Sequence, residues 1–202
     1  MLNKQANTQV EIHELIANRW SGRAFDKNKP VSKEQIIALL EASRWSPSCY
    51  SDQPWHYIVF DKFQNEHAWR KAQSTIVEKN LQWAQNAPVL ILTTAAANFR
   101  SNDKPNKWAE YDTGASVLNL SLQASAMDLV CHQMGGYDSD KARDLFNIPE
   151  QYHMLALVAI GHRAPVTTLN KPFNELEIAE RSRHDLGSRY YLNNWGNSIQ
   201  MP

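Results

Sequence analysis

The chain has 202 residues, 43% of them apolar, and its 21 Lys and Arg residues balance its 21 Asp and Glu residues. The length and the apolar share predict one globular domain, residues 1–202, with a substantial core. A formal charge of zero excludes the broad positive surface that duplex nucleic acid requires, so we expect no nucleic-acid partner. It leaves room for a phosphate ligand held by a few local arginines.

Cysteine and apolar patterns indicate the compartment. Cys49 and Cys131 form no Cys-x-x-Cys motif, and the seven histidines show no metal-ligand spacing, so we expect no metal. The sequence MLNKQANTQVEIHEL has no apolar signal core, and the longest apolar stretch, 87–97, is too short and Thr-rich to span a bilayer. We therefore expect a cytoplasmic protein without a membrane partner.

Helix-start signals mark the first half of the chain. Thr8 and Glu11 form a capping box that predicts a first helix running towards Arg19. Ser32 and Gln35 form a second box, and the helix that follows should stop before Pro47. The first two predicted elements are thus helices.

Apolar and β-branched runs predict a sheet. The predicted strands are 55–60, 89–94, the weaker 129–134, and 155–160. The continuous apolar runs 89–94 and 155–160 predict strands that are buried on both faces. A helix over 111–127 is apolar on several sides, which indicates a core or, as we favour, a subunit interface. Another helix is predicted over 138–146. The polar tail from Ala164 carries Tyr190, Tyr191 and Trp195 and is typical of an arm that lies on a partner subunit.

Four short motifs are candidate binding sites, each with an ordinary structural alternative. Arg19, Ser21 and Arg23 offer two guanidiniums and a hydroxyl to a phosphate, or simply cap a helix. The loop 46–55 is stiffened by two prolines and exposes backbone amides, or is only a connector. The third motif, Gly135-Gly136, either lets a ligand approach closely or forms a plain turn. The fourth, Arg181-Ser182-Arg183, is either a second basic pair for the phosphate or a solvated surface pair.

Together and in this order, these motifs resemble the nitroreductase family of FMN-dependent oxidoreductases, over nearly the whole chain. The resemblance is carried by Arg19-Trp20-Ser21-Gly22-Arg23 with Phe25, Ser46-Pro47-Ser48 through Gln53-Pro54-Trp55, Asn80 before Ala87-Pro88, Gly135-Gly136, and the late arginines. It implies an α+β fold with a mixed, mainly antiparallel sheet flanked by helices and a C-terminal arm wrapping the partner subunit.

The resemblance also implies a function. A homodimer would hold FMN at its subunit interface, take electrons from NADH or NADPH, and reduce nitroaromatics or quinones by ping-pong hydride transfer. Chemistry would occur at FMN N5 without a catalytic side chain. A dehalogenase or enone reductase on the same scaffold, a non-catalytic FMN-storage or FMN-sensing protein, and a flavin-free phosphate-binding module stay open as alternatives. The Gln53-Pro54-Trp55 loop disfavours the last of these.

Site residues follow from the same resemblance. The FMN phosphate and ribityl chain would be bound by Arg19, Ser21, Arg23, Arg181 and Arg183, with the backbone of Trp20. The flavin ring would be lined by Asn80, Gly135 and Gly136 and by the partner's copies of Pro47, Ser48, Cys49 and Ser51. The family often has a basic residue at Trp20 and Asn at Ser51. Its substrate-covering region, here 98–110, is short, so Trp108 and Tyr111 are expected to face the substrate or else to pack.

Overall fold

The computed structural model describes residues 4–200, and its centre is a four-stranded sheet in the order β1-β2-β4-β3. The strands are β1 Trp55–Asp61, β2 Val89–Ala96, β3 Leu129–Met134 and β4 Tyr152–His162. All three strand pairs in this part of the chain are antiparallel. The four predicted strands and the α+β class are confirmed.

Helices cover both faces of this sheet. They are α1 Glu14–Asn18, α2 Lys33–Arg44, α3 Glu66–Gln73, α4 Glu78–Ala84, α5 Ala109–Ala126, α6 Ser139–Phe146 and α7 Phe173–Ile178. One core lies between the sheet and helices α2 and α5, and the other contains side chains from α3, α4, α6 and α7. β2 is therefore buried on both faces, as its continuous apolar run predicted.

The capping predictions had different outcomes. The Ser32 box is confirmed: Gln35 N donates to Ser32 Oγ at 3.2 Å, and Ser32 N donates to Gln35 Oε1 at 2.9 Å. The Thr8 box is wrong, because α1 begins only at Glu14 and is capped by His13. The described residues before it have no regular secondary structure, and among them Ala6 N donates to Ala17 O at 2.9 Å.

Three short helices lacked a sequence prediction. Helices α3 and α4 bury only two residues each, so neither shows a long apolar stripe. Helix α7 lies within the tail that was predicted to be an arm, and its Phe173 and Glu177 are buried in the same chain. Only the part beyond α7 is mostly exposed. Within residues 4–200, no helix has both the length and the apolarity to cross a bilayer.

Candidate functional site

The segment 19–24, named here the arginine turn, follows α1 directly and is held on two sides. On one side, Nδ1 of His132 from β3 lies 3.0 Å from Gly22 O. On the other, the Glu177 carboxylate accepts from Arg23 N at 3.0 and 2.9 Å and from Ala24 N at 3.2 Å. The backbone of the arginine turn is thus fixed by β3 and α7, which are distant from it in sequence.

Arg181 contacts the same turn and the segment before it. Its guanidinium donates to the carbonyl oxygens of Lys4, of Ala17 at 2.7 Å and of Arg19 at 3.0 Å. Ala17 and Arg19 lie at the end of α1, where carbonyls lack helical partners, so the guanidinium acts as a side-chain cap there and also ties the segment at Lys4 to it. Direct phosphate binding by Arg181 stays a prediction; the hydrogen bonds formed here position Arg19.

Positive charge accumulates at this point. Burial is the main cause of the lowered pKa of Arg19, Cys131 opposes the shift, and Arg183 adds to it. Burial also lowers the pKa of Arg181, followed by the charges of Arg19 and Arg183. In the described range, 4–200, none of these three arginines, nor Arg23, forms an ion pair with a carboxylate. Such a group of guanidiniums matches the charge and donor geometry of a phosphate dianion.

The predicted glycine pair lies at the far end of β3. A Cβ on Gly135 would meet no atom within 4 Å, so this position is open. A Cβ on Gly136 would lie 2.4 Å from Nδ2 of Asn80, which donates to Gly136 O at 3.3 Å. The structure therefore brings Asn80 against the glycine backbone, on the first turn of α4.

The arginine turn and the glycine pair share one edge strand. Arg19 interacts with Cys131, and Gly135 lies four residues further on, about 13 Å at the usual rise of a strand. β3 is the last strand of the sheet, so this edge has no neighbouring strand among residues 4–200. The arrangement suits an elongated molecule with an anionic tail and a planar head.

The loop 47–53 is held in shape by its own hydrogen bonds and by a bond to α5. Cys49 N donates to Asp112 Oδ2 at 2.9 Å, and Gln53 N donates to Ser48 Oγ at 3.0 Å. Tyr50, Ser51 and Gln53 all have a positive φ near 53°. Pro47 and Ser51 are exposed, and Ser48 and Cys49 are half-buried.

This loop does not join the arginine turn within one chain. It is fixed to the start of α5 through Asp112, whereas Arg19 lines a cavity of about 1000 Å³ together with Ser121 and Ser125 near the end of α5. Asp112 and Ser121 are nine residues apart, about 14 Å along the helix. No residue of the loop lines that cavity.

The aromatic residues at the start of α5 are not core residues. Trp108 is 43% exposed and Tyr111 is 76% exposed. Their rings meet edge to face with centroids 6.4 Å apart, and Lys107 Nζ lies 5.0 Å from the Trp108 ring centroid. The packing alternative is therefore not supported within the chain, and contact with a substrate stays a prediction.

Sequence reasoning missed Glu177 and Trp83 as parts of this site. Trp83 from α4 packs 4.4 Å from the ring of His132 and 5.9 Å from the guanidinium carbon of Arg23. A lone Glu in a polar tail and a Trp in an unpredicted helix carry no motif, so no signal in the sequence points to them. His132 holds the backbone of this site through its contact at Gly22.

The environment of His132 keeps it neutral. Burial is the largest cause of its lowered pKa of about 4; the hydrogen bonds to Gly22 and Ser21 raise it, and the charges of Arg23 and Arg19 lower it. Because a carbonyl oxygen only accepts, Nδ1 carries the proton in the contact with Gly22. Across the part of the chain that is described, no group of three or more His, Cys, Asp or Glu side chains has the geometry of a metal site.

Comparisons with known proteins agree on one family. A sequence model of the Nitroreductase family matches residues 16–162. The chain is 31% identical over 201 residues to the major NAD(P)H-flavin oxidoreductase of Aliivibrio fischeri, covering 81% of this chain and 92% of that protein. It is 23% identical over 195 residues to the oxygen-insensitive NAD(P)H nitroreductase of Salmonella typhimurium, covering 77% and 90%. A crystal structure of an oxidoreductase containing FMN aligns with a TM-score of 0.88 and 28% identity over 96% of both chains.

Proposed function

The chain belongs to the nitroreductase family, and from this premise we propose that it is an FMN-dependent NAD(P)H oxidoreductase that reduces small acceptors such as nitroaromatics or quinones. One observation carries the proposal. Arg19, Arg181 and Arg183 bring mutually repelling charges together at one end of an edge strand, and its other end leads into Gly135, which is open, and Gly136, which packs against Asn80. FMN has a matching dianionic tail and planar head.

The arginine turn, together with Arg183, would hold the phosphate. Arg19, Arg23 and Arg183 supply charge, Ser21 supplies a hydroxyl, and Trp20 contributes backbone. Arg181 keeps Arg19 in place through the Arg19 carbonyl. Four cations close to the dianion bind the cofactor without taking part in the reaction.

The residues at the other end of β3 would hold the ring. Gly135 and Gly136 allow close approach, and Asn80 is directed to this point by its bond to Gly136 O. When bound, FMN supplies the chemistry, which is hydride acceptance at N5 from a nicotinamide and electron delivery to the acceptor. We assign no catalytic side chain, so the protein's part is to bind, orient and exclude water.

A homodimer would complete the site. Tyr111 and Leu118 are exposed on α5, and Gly114 between them faces open space. Beyond α7, Tyr190 and Trp195 are exposed as well. Exposed large apolar side chains on one helix and in the C-terminal segment favour a subunit interface. The loop 47–51, too distant from Arg19 in its own chain, would then line the flavin of the partner subunit, with the arm wrapped on that subunit.

We propose a cytoplasmic location on the basis of the cysteines. Cys49 and Cys131 are both free thiols. Free thiols are typical of a reducing compartment.

The first test is the colour of the purified protein. We expect a flavin absorption spectrum that NADH or NADPH bleaches anaerobically and that nitroaromatics or quinones restore. A flavin that neither nicotinamide bleaches would instead indicate an FMN-storage or FMN-sensing protein. Reaction only with halogenated phenols or enones would indicate another reductase on this scaffold.

The second test addresses the phosphate assignment. Arg23→Ala should lose bound FMN together with activity. The matched control is Arg70→Ala, which removes an exposed arginine paired with Glu66 on α3 and should keep both. Full flavin retention in the Arg23 variant would remove this residue from the phosphate site.

A further inference from the structure

Glu177 is a buried carboxylate beside a cluster of cations, yet it forms no ion pair within residues 4–200. We propose that it is a positioning residue: it sets the backbone of the arginine turn so that the turn accepts the FMN phosphate. The inference rests on the proposed function. It assigns to α7 a role in cofactor binding that none of the sequence motifs indicated.

The hydrogen bonds of Glu177 support this role. Its side chain is 1% exposed, and both oxygens accept from backbone N–H groups of the turn. Oε1 binds Arg23 N and Ala24 N, and Oε2 binds Arg23 N. A charged acceptor that binds adjacent peptide groups fixes their orientation, and hence the direction in which the Arg23 side chain leaves the backbone.

Close packing restricts the turn further. A Cβ on Gly22 would lie 3.0 Å from Val130 Cγ1, 3.2 Å from Glu177 Oε1 and 3.3 Å from the Trp20 ring. The turn therefore passes between β3 and α7, and a side chain at Gly22 would fit only if these neighbours moved by a few tenths of an ångström. Because His132 holds the Gly22 carbonyl from the other side, the turn has little freedom left before any ligand arrives.

The charge of Glu177 argues that its geometry is what matters. A carboxylate this close to a phosphate site repels the dianion, so it does not attract the cofactor electrostatically. Part of this charge is compensated by Arg163, which interacts with Glu177. The benefit must come from preorganisation: a turn that is ordered in advance does not lose conformational entropy when the phosphate binds.

The test compares FMN with riboflavin, which has the same ring and ribityl chain but no phosphate. Apo-protein is titrated with each flavin, and the ratio of the two dissociation constants is measured for the wild type, Glu177→Ala and Glu177→Gln. We expect Glu177→Ala to weaken FMN binding about tenfold or more and riboflavin binding much less. Glu177→Gln should fall between, because its amide keeps one acceptor oxygen but turns a donor towards a backbone N–H.

Phe173→Leu is the matched control. Phe173 lies on the same helix and is buried, but it belongs to the apolar core. This variant should lower thermal stability while leaving the FMN-to-riboflavin ratio at the wild-type value. If Glu177→Ala does not fold, Glu177→Gln alone decides.

The outcomes separate the two proposals. A wild-type protein that binds neither flavin would contradict the proposed function. A wild type that prefers FMN, with the same preference in a folded Glu177 variant, would overturn the role of Glu177 and leave the function standing. Equal weakening of both flavins would also overturn it, because general destabilisation does not select for the phosphate.

Discussion

Nδ1–H of His132, in the middle of β3, donates to the carbonyl oxygen of Gly22 across 3.0 Å. The neutral imidazole already carries the Nδ1 proton that this bond needs, and the charges of Arg23 and Arg19 favour the neutral form. The edge strand and the arginine turn are therefore joined by a group whose charge depends on pH. The stability of the apo-protein should depend on pH for the same reason.

The expected direction follows from the pKa of His132, which burial and the two arginines lower from 6.5 to about 4. The unfolded chain binds the proton first, so stability is complete above pH 6.5 and falls as the pH approaches 4. Between pH 7 and pH 5 the loss is about 2 kcal/mol. Urea unfolding of apo-protein at both pH values measures it.

His132→Asn is the control for this prediction. Asn keeps a donor near the position of Nδ1 but does not titrate, so the variant should lose most of the pH dependence that His132 causes. His162, whose pKa burial also lowers, remains in both proteins and cancels in the comparison. Equal slopes in the wild type and the variant would contradict the assignment.

The two late arginines should respond differently to substitution. Arg181→Ala removes one donor from each of three backbone carbonyls, of which Ala17 O keeps its bond from Ala6 N, so we expect a stability loss of about 1–3 kcal/mol. Arg183 is exposed and donates only to the neighbouring Ser182 O at 2.7 Å. Arg183→Ala should therefore keep its stability and lose FMN affinity through its charge alone. Chemical denaturation and flavin titration distinguish the two, and identical profiles would argue against separate roles.

The two glycines form another matched pair. In Gly136→Ala the new Cβ would lie 2.4 Å from Nδ2 of Asn80, so the Asn80 amide must shift away from Gly136 O, the carbonyl to which it donates. In Gly135→Ala the Cβ meets open space. We expect Gly136→Ala to lower apo-protein stability by about 1–3 kcal/mol and Gly135→Ala to leave it unchanged. If the ring lies against this backbone, both variants should bind flavin more weakly, which fluorescence titration of apo-protein measures.

The sequence was most informative where the signal is local. The run 89–94 predicted a doubly buried strand, and Ser32 with Gln35 predicted the start of α2, because each depends only on near neighbours. Thr8 and Glu11 have the same local pattern but lie in a segment without regular secondary structure, and the backbone of Ala6 bonds to Ala17 near the end of α1 instead. Tertiary contacts overrode the local preference there.

In the candidate site, the contacts that could not be predicted join residues far apart in the sequence. Arg19, Ser21 and Arg23 were recognisable because they are adjacent in sequence. The residues that hold them are not: Glu177 binds Arg23 N across 154 residues, and Arg181 binds Arg19 O across 162. One Glu and one Arg in a polar tail are compatible with many surroundings, so only the folded chain selects these contacts.

Trp108 and Tyr111 are expected to contact the electron acceptor. Trp108 and Tyr111 form an exposed edge-to-face pair at the start of α5, one residue before Asp112, which binds the loop at Cys49. If this loop lines the flavin of the partner subunit, the pair lies close to the same ring and offers a surface for planar acceptors. Trp108→Ala should then lower kcat/KM for nitroaromatics about threefold to tenfold. Ferricyanide, which takes electrons without stacking, should be reduced at the wild-type rate.

Trp45→Ala is the control for this effect. Trp45 is 74% exposed, more than Trp108, and lies at the end of α2, where its Nε1 donates to Glu41 Oε1 at 2.9 Å. The Trp45→Ala variant should reduce both nitroaromatics and ferricyanide at the wild-type rate. Because ferricyanide and nitroaromatics draw on the same reduced cofactor, a variant that merely loses FMN would lower both rates together. A Trp108 variant that reduces nitroaromatics at the wild-type kcat/KM would place the acceptor elsewhere, since a lost stacking surface must weaken a planar substrate more than an ionic one.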